Sequence, residues 1–388
     1  MHPTPAGGIE YTNGRLNAFL DRLLTTADQT VFSHIDLGLG PNAQYEQADL
    51  LELVAHCGIA DEFANGGAKT RRVATGEMNG LRNDHRSPTA KALGHHLRGL
   101  ERNAIIEQFA EVFDEFRRLA AKSRLFTGPV DVAIDIHDWL YYGDAETEMV
   151  SHTNLSRGTN TAFKFLTACI VTDGLRLTVA VEPIGEDIDH VDALDGALHE
   201  ATEWAEIRQV YLDRGFYEVA VLRTLQAHDL DYVVRARQFP SMATDHPTVQ
   251  VEHDYVMGGS RPPYDTITLS RFCVPHREHP NEQQTYFVTN RPVDEEIGPA
   301  LANAYRRRWG IETSYRLIGD FLAKSRSTVF TVRLFYFLFA VTLYNLWVLC
   351  NRLLASVFGW ELDPPPISAA IFARLVRNRW MGELFDPG

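Results

Sequence analysis

"VDVAIDIHD", residues 130–138, alternates apolar and polar side chains along its length. Val130, Val132, Ile134 and Ile136 fall on one face of an extended chain, and Asp131, Ala133 and Asp135 on the other. The β-branched residues favour a strand, and the apolar content makes it a largely buried one. A carboxylate near the end of such a strand is costly unless it is paired or used. What Asp135 is for therefore decides how the rest of the chain is read.

Downstream, "TAFKFLTACIVT" (161–172) and "LRLTVAVEPI" (175–184) read as two more strands, joined by a tight turn at Asp173-Gly174. A helix-period stretch follows, then a buried strand at "QVYLDRG" (209–215), a helix at "FYEVAVLRTLQAH" and a strand at "DYVVRARQ" (231–238). The order β-β-β-α-β-α-β predicts an α/β fold whose mixed sheet starts antiparallel and continues through parallel crossovers. Residues 239–295, rich in Pro, His and Gly with short β-like pieces, predict a β-rich insertion. A helix then opens near Pro299 and runs through Glu312, and the tail from 356 to 388 contains the breaker "DPPP".

Upstream, residues 1–124 place apolar side chains at spacings of three and four, the mark of amphipathic helices. The stretch between two of these helices is basic, with Lys69, Arg71, Arg72, Arg82, Arg86, Lys91 and Arg98. It reads either as a DNA-contacting module or as a solvated surface, since no recognition-helix motif stands out.

The formal charge of −14 argues at first against nucleic acid. Five lysines among 37 basic residues leave arginine dominant, and arginine is the side chain suited to bidentate phosphate contact. A salt-rich cytoplasm favours the same acidic, lysine-poor surface, so net charge does not exclude DNA. The scattered cysteines Cys57, Cys169, Cys273 and Cys350 give no disulfide framework and fit a reducing cytoplasm. The N-terminal residues lack a charged segment followed by an apolar one, so no signal peptide is expected. The apolar run Leu334–Cys350 is short of the about 20 residues that a membrane span needs. It carries Thr342 and Asn345, so it reads as a helix buried on all sides.

Asp213, in "VYLDRGF", ends a second apolar strand. Ligands of open α/β sheets gather at the carboxyl ends of strands, where Asp135 and Asp213 converge if their strands are neighbours. Glu312, in "YRRRWGIETSYR" (305–316), is the one carboxylate in a run of arginines and can join them from a helix. Three such acids can hold two Mg²⁺ or Mn²⁺ ions, which take hard oxygen ligands and drive phosphoryl transfer. Each acid alone also reads as a cap, a turn residue or a surface charge.

"VAIDIHDWLYYGD", "YLDRGFYEV" and "YRRRWGIETSYR" together resemble the three acidic motifs of insertion-element transposases with a DDE domain. They are most similar to the subgroup with a Tyr-Arg-Glu-Lys signature. The resemblance covers roughly residues 125–350 and implies an RNase H-like core at 125–238 and 296–355, with a β-rich insertion subdomain at 239–295 between the second Asp and the Glu. The helical domain at 1–124 and the tail at 356–388 lie outside that core. The resemblance further implies that Asp135, Asp213 and Glu312 are the catalytic, metal-binding acids, and that Tyr305 and Arg308 touch phosphate near the cleaved end. Arg307 and the basic residues Arg71, Arg72, Arg82, Arg86 and Lys91 are further DNA-binding candidates. The expected partners are double-stranded DNA, as element ends and target, and a second copy of the chain in the DNA complex. No membrane is expected, and the location is the cytoplasm. A nuclease that only cleaves and an inactive DNA-binding relative are the alternatives.

The chain departs from the signature at Gly319, where the lysine is expected, and the insertion contains no Trp. Cys273, His276 and His279 lack a C-x-x-C half-site, so they read as a polar loop rather than a zinc site.

Overall fold

The computed structural model describes residues 9–74, 87–172, 174–242, 248–259, 264–275, 284–362 and 364–381. The chain forms two compact units, one from Met1–Leu125 with Arg316–Gly388 and one from Phe126–Tyr315.

The first unit begins with α1 (Ile9–Thr30), α2 (Gln47–Ile59), α3 (Ala64–Ala74), α4 (Ala90–Gly99) and α5 (Arg102–Lys122). Two of them show a local cause. In α5, Ile105, Phe109, Val112, Phe113, Phe116 and Ala120 make one buried stripe, while α4 starts where the Thr89 side chain accepts from the Ala92 N–H at 3.1 Å.

Among the described residues, the second unit is built on one nine-stranded sheet. Its strands are β1 (Val130–Tyr141), β2 (Val150–Ser156), β3 (Thr159–Ile170), β4 (Leu177–Ile184), β5 (Ile207–Leu212), β6 (Tyr232–Arg235), β7 (Gln250–Gly258), β8 (Thr266–Pro275) and β9 (Gln284–Thr289). Helices α6 (His190–Trp204) and α7 (Val219–Ala227) supply the crossovers before β5 and β6. The spatial order is β2-β3-β1-β5-β6-β9-β8-β7, with β4 also pairing β3. The β1–β3 and β3–β4 pairs are antiparallel, and the β1–β5 and β5–β6 pairs are parallel. The expected mixed sheet with flanking helices is therefore present.

Three details differ from the sequence reading. Strand β2 was not expected, because "VSHTNLS" is polar and mostly exposed. It is tied to β3 by the two-residue turn Arg157-Gly158, whose φ values of 47° and 88° suit a tight hairpin. The segment 239–295 adds its strands to the central sheet: β9 pairs with β6, Val234 opposite Val288, and carries β8 and β7 onto the same sheet. Its strands cover an edge that β6 would otherwise leave unpaired. The helix expected from Pro299 through Glu312 is broken into α8 (Ile297–Tyr305), a 3₁₀ turn (Arg306–Arg308) and α9 (Trp309–Gly319).

The chain returns to the first unit within α9 and adds α10 (Phe330–Phe358) and α11 (Ala369–Met381). Helix α10 was expected in the catalytic core, but it packs on α5, α4 and α2. Among the described residues it is the one helix long and apolar enough to cross a membrane, and its apolar window is wholly buried. It ends where Gly359 takes a left-handed conformation and donates to the Ala355 carbonyl.

Candidate active site

Strand register brings the two aspartates together. The last pair between β1 and β5 is Ile134 with Leu212, so Asp135 and Asp213 are the next residues on adjacent parallel strands. There β5 stops, while β1 continues to Tyr141 paired with β3. The burial of β1 relaxes at the same point, from fully buried through Ile134 to half-buried from Asp135. Asp213 caps the short turn that follows β5, its Oδ1 accepting from the Gly215 N–H at 2.7 Å.

Glu312 reaches the same region through Arg308. The guanidinium donates from Nη2 to Glu312 Oε1 at 2.6 Å and from Nη1 to Asp135 Oδ2 at 3.4 Å. The 3₁₀ turn explains part of this placement, because residues three apart eclipse in such a turn. Arg308 thus lies under Tyr305, its Cζ 5.8 Å from the ring centre, and the first turn of α9 then sets Glu312 four residues on. Helix α9 is pinned over β3 by Tyr315, whose hydroxyl is 2.7 Å from that of Thr167. Thr167 is the cross-strand neighbour of Asp135. The His137 ring, 4.9 Å from that of Tyr315, closes this side.

Charge in the site is unbalanced. Burial, then the negative charge of Asp213, pushes the Asp135 carboxyl up to about 6, and Glu312 adds to the effect. Arg308 and the Ile136 N–H oppose it. Burial lowers His137 to about 4, so its ring is neutral near pH 7. Among the described residues no three His, Cys, Asp or Glu side chains are grouped closely enough to hold a metal ion. The positive charge between Asp135 and Glu312 is instead the Arg308 guanidinium. Asp135 and Glu312 both turn carboxylate oxygens to that guanidinium, and such oxygens are the donor type that hard divalent cations take.

The other expected contacts are distributed differently. Tyr305 is only 7% exposed. Its hydroxyl donates to the Leu212 carbonyl at 3.1 Å, and its ring packs edge-on against Tyr211 and Phe287. It faces the core because α8 lies over that part of the sheet, so it is a packing residue here and not a surface contact. Arg307, half exposed, pairs with the buried Asp131. Arg71 was expected to meet DNA, yet it is buried in the first unit against Glu52 and the Asp49 carbonyl; α3 turns that face toward α2. Arg72 is half-buried on α3, and Lys91 is exposed on α4. Arg82 and Arg86 lie outside the described residues, as do His276 and His279, whereas Cys273 is buried on β8. Lys324 pairs with Asp61 at 2.6 Å within the first unit.

Sequence reasoning missed Asp131, Thr167 and Tyr315 as residues that shape this site. One signal was available: Asp131 shares the strand face of Asp135 in the alternation of 130–138.

No curated protein sequence matches the chain. A similar solved structure is the cryo-EM structure of piggyBac transposase synaptic complex with hairpin DNA, at a TM-score of 0.57 and 10% identity. That match covers 92% of this chain and 77% of the other, and at such identity it is a likeness of fold. The family described as "Transposase DDE domain" matches residues 128–346, more than half of the chain. With the mixed sheet and the helical N-terminal region already in view, the chain belongs to the family of transposases with a DDE domain.

Proposed function

We propose that the chain is the DNA transposase of an insertion element, cleaving DNA strands at the element's ends and joining them to target DNA. The observation that carries this reading is the register of β1 and β5, which sets Asp135 beside Asp213, with Glu312 tied to Asp135 through Arg308. In this reading Asp135, Asp213 and Glu312 hold Mg²⁺ or Mn²⁺. Bound there, such an ion would polarise the scissile phosphate and lower the pKa of the attacking hydroxyl or water.

The chain's own residues do the rest. The Gly215 N–H fixes one oxygen of Asp213 and leaves the other for a ligand. Tyr315 and Thr167 hold α9, and with it Glu312, over β1. Arg308 balances the acids and is the cation best placed to take a terminal phosphate. Its side chain is 11% exposed, and a dry surrounding strengthens a charge-assisted phosphate contact. The DNA partners are element ends and target, bound by two copies of the chain in the cytoplasm.

The test uses the purified chain, duplexes bearing the terminal inverted repeats of its own element, and Mg²⁺. Strand cleavage and strand joining are the expected products. Asp135→Asn, Asp213→Asn and Glu312→Gln should each abolish both while the melting transition survives. A variant that cleaves like the wild type removes that acid from the site. Cleavage without joining makes the protein a nuclease.

A further inference from the structure

We propose that Asp131 is a positioning residue, holding through Arg307 the turn that places Arg308 and Glu312. The inference rests on the reading of Asp135, Asp213 and Glu312 as the cleaving acids.

Asp131 is fully buried, at 0% exposure. It stands four residues before Asp135 on β1, on the same strand face. Its Oδ1 accepts from Arg208 Nε at 2.8 Å. Its Oδ2 accepts from Arg307 Nη1 and, at 3.4 Å, from the Tyr211 hydroxyl. A buried carboxylate cannot release such partners without a large penalty. Arg307 is therefore committed to Asp131, although it is itself half exposed.

The consequence lies in the sequence order. Arg307 and Arg308 are consecutive residues of one short 3₁₀ turn. Arg307 grips Asp131 while Arg308 grips Asp135, so two ion pairs strap the turn along β1. The turn leads directly into α9, whose first turn carries Glu312. Fixing Arg307 thus fixes both the guanidinium between the acids and the start of the helix that carries the third. Arg208 also neutralises Asp131, but it lies on β5 and is not part of the turn.

That difference supplies the test, made on the full chain with end-bearing duplex and Mg²⁺ titrations. Arg307→Gln is the leading variant: the side chain is half exposed and Arg208 still neutralises Asp131, so the protein should fold, with a lowered melting temperature. At saturating DNA its cleavage rate should fall, and its Mg²⁺ midpoint should rise, by roughly 10- to 100-fold, the usual penalty for losing a group that orients a metal site. Arg307→Lys should recover part of the loss, and Asp131→Asn, if folded, should match Arg307→Gln. Affinity for random duplex and its salt dependence should stay at wild-type values. Arg208→Gln should lower the melting temperature but leave rate and Mg²⁺ midpoint unchanged. Equal rates in Arg307→Gln and the wild type would overturn the proposal. So would an Arg208→Gln variant as impaired in rate as Arg307→Gln, because the role would then be charge balance in the fold. A salt slope shallower by about one, with wild-type turnover at saturation, would make Arg307 a phosphate contact instead. A wild-type chain that cleaves nothing defeats the transposase reading itself, before any variant is compared.

Discussion

The Tyr305 hydroxyl donates to the Leu212 carbonyl at 3.1 Å, one residue before Asp213. This bond ties the end of α8 to the point where β5 leaves the sheet. Tyr305→Phe keeps the ring packing and strands one buried carbonyl, at a cost of about 1 kcal/mol. Cleavage should fall only modestly, while Tyr305→Ala should lose about 3–5 kcal/mol by emptying the pocket between Tyr211 and Phe287. Denaturant melts beside end-binding titrations check both variants. If Tyr305→Phe weakened binding to cleaved ends without lowering stability, the hydroxyl would be a DNA contact after all.

Arg308 makes a prediction with two opposite signs. Arg308→Ala takes away the positive charge between Asp135 and Glu312, so free of DNA the protein should bind Mn²⁺ more tightly than the wild type. The same change should weaken binding to cleaved ends, with a salt slope shallower by about one. Calorimetric Mn²⁺ titration and end-binding isotherms read the two effects separately. Weaker Mn²⁺ binding in the variant would show that the guanidinium helps to build the ion site rather than standing in for its charge.

Asp135 gives a pH dependence whose direction is fixed. Its carboxyl lies at about 6 in the folded chain against an ordinary 3.8, so the fold favours the protonated form. The stability it contributes is fully present below 3.8 and is lost as pH rises through about 6. Asp135→Asn is neutral at every pH and escapes that loss. Its advantage over the wild type should be near zero at pH 4 and reach about 1–3 kcal/mol at pH 8. Paired melts across that range test it, and a constant difference would place the cause elsewhere than in this carboxyl.

Much of this architecture could be read from residue order. The alternation in 130–138 identified β1 because a buried strand writes its period into the sequence, and an acid interrupting that pattern is conspicuous. The polar β2 wrote no such pattern. The pairing of Val234 with Val288 could not be read at all, since partners remote in sequence leave no periodic trace. The break at Arg306–Arg308 was hidden for a different reason. Spacings of three, from Tyr305 to Arg308, and four, from Arg308 to Glu312, both suit an unbroken helix. The directions of Tyr305 and Arg71 were beyond sequence too, because a polar side chain turns inward only when the tertiary fold supplies its partner.

Gly58, near the end of α2, is a glycine that the first unit requires. A Cβ built there would stand 1.9 Å from the Phe321 carbonyl oxygen and 2.6 Å from its carbon. Both are backbone atoms and cannot swing aside. Gly58→Ala should therefore cost about 3 kcal/mol or more, visible as a large fall in melting temperature. A wild-type melt would mean that the chain after α9 does not approach α2 so closely.

Gly319 is the contrasting case, because a Cβ there meets nothing within 4 Å. It is the exposed last residue of α9, seven beyond Glu312, or about two turns along the helix. No close approach explains the glycine, and the neighbouring cation Lys324 is already engaged with Asp61. Lysine suits the carboxyl end of a helix, where its charge meets the dipole, and it forms helix better than glycine. Together these should add up to about 1 kcal/mol. If position 319 is a vacated DNA contact, Gly319→Lys should also tighten binding to cleaved ends severalfold and steepen the salt slope by about one. The stability gain and the affinity gain have separate causes, so a melt and an end-binding titration of the same variant distinguish them. A higher melting temperature with unchanged end affinity would leave Gly319 as nothing more than a weak helix end.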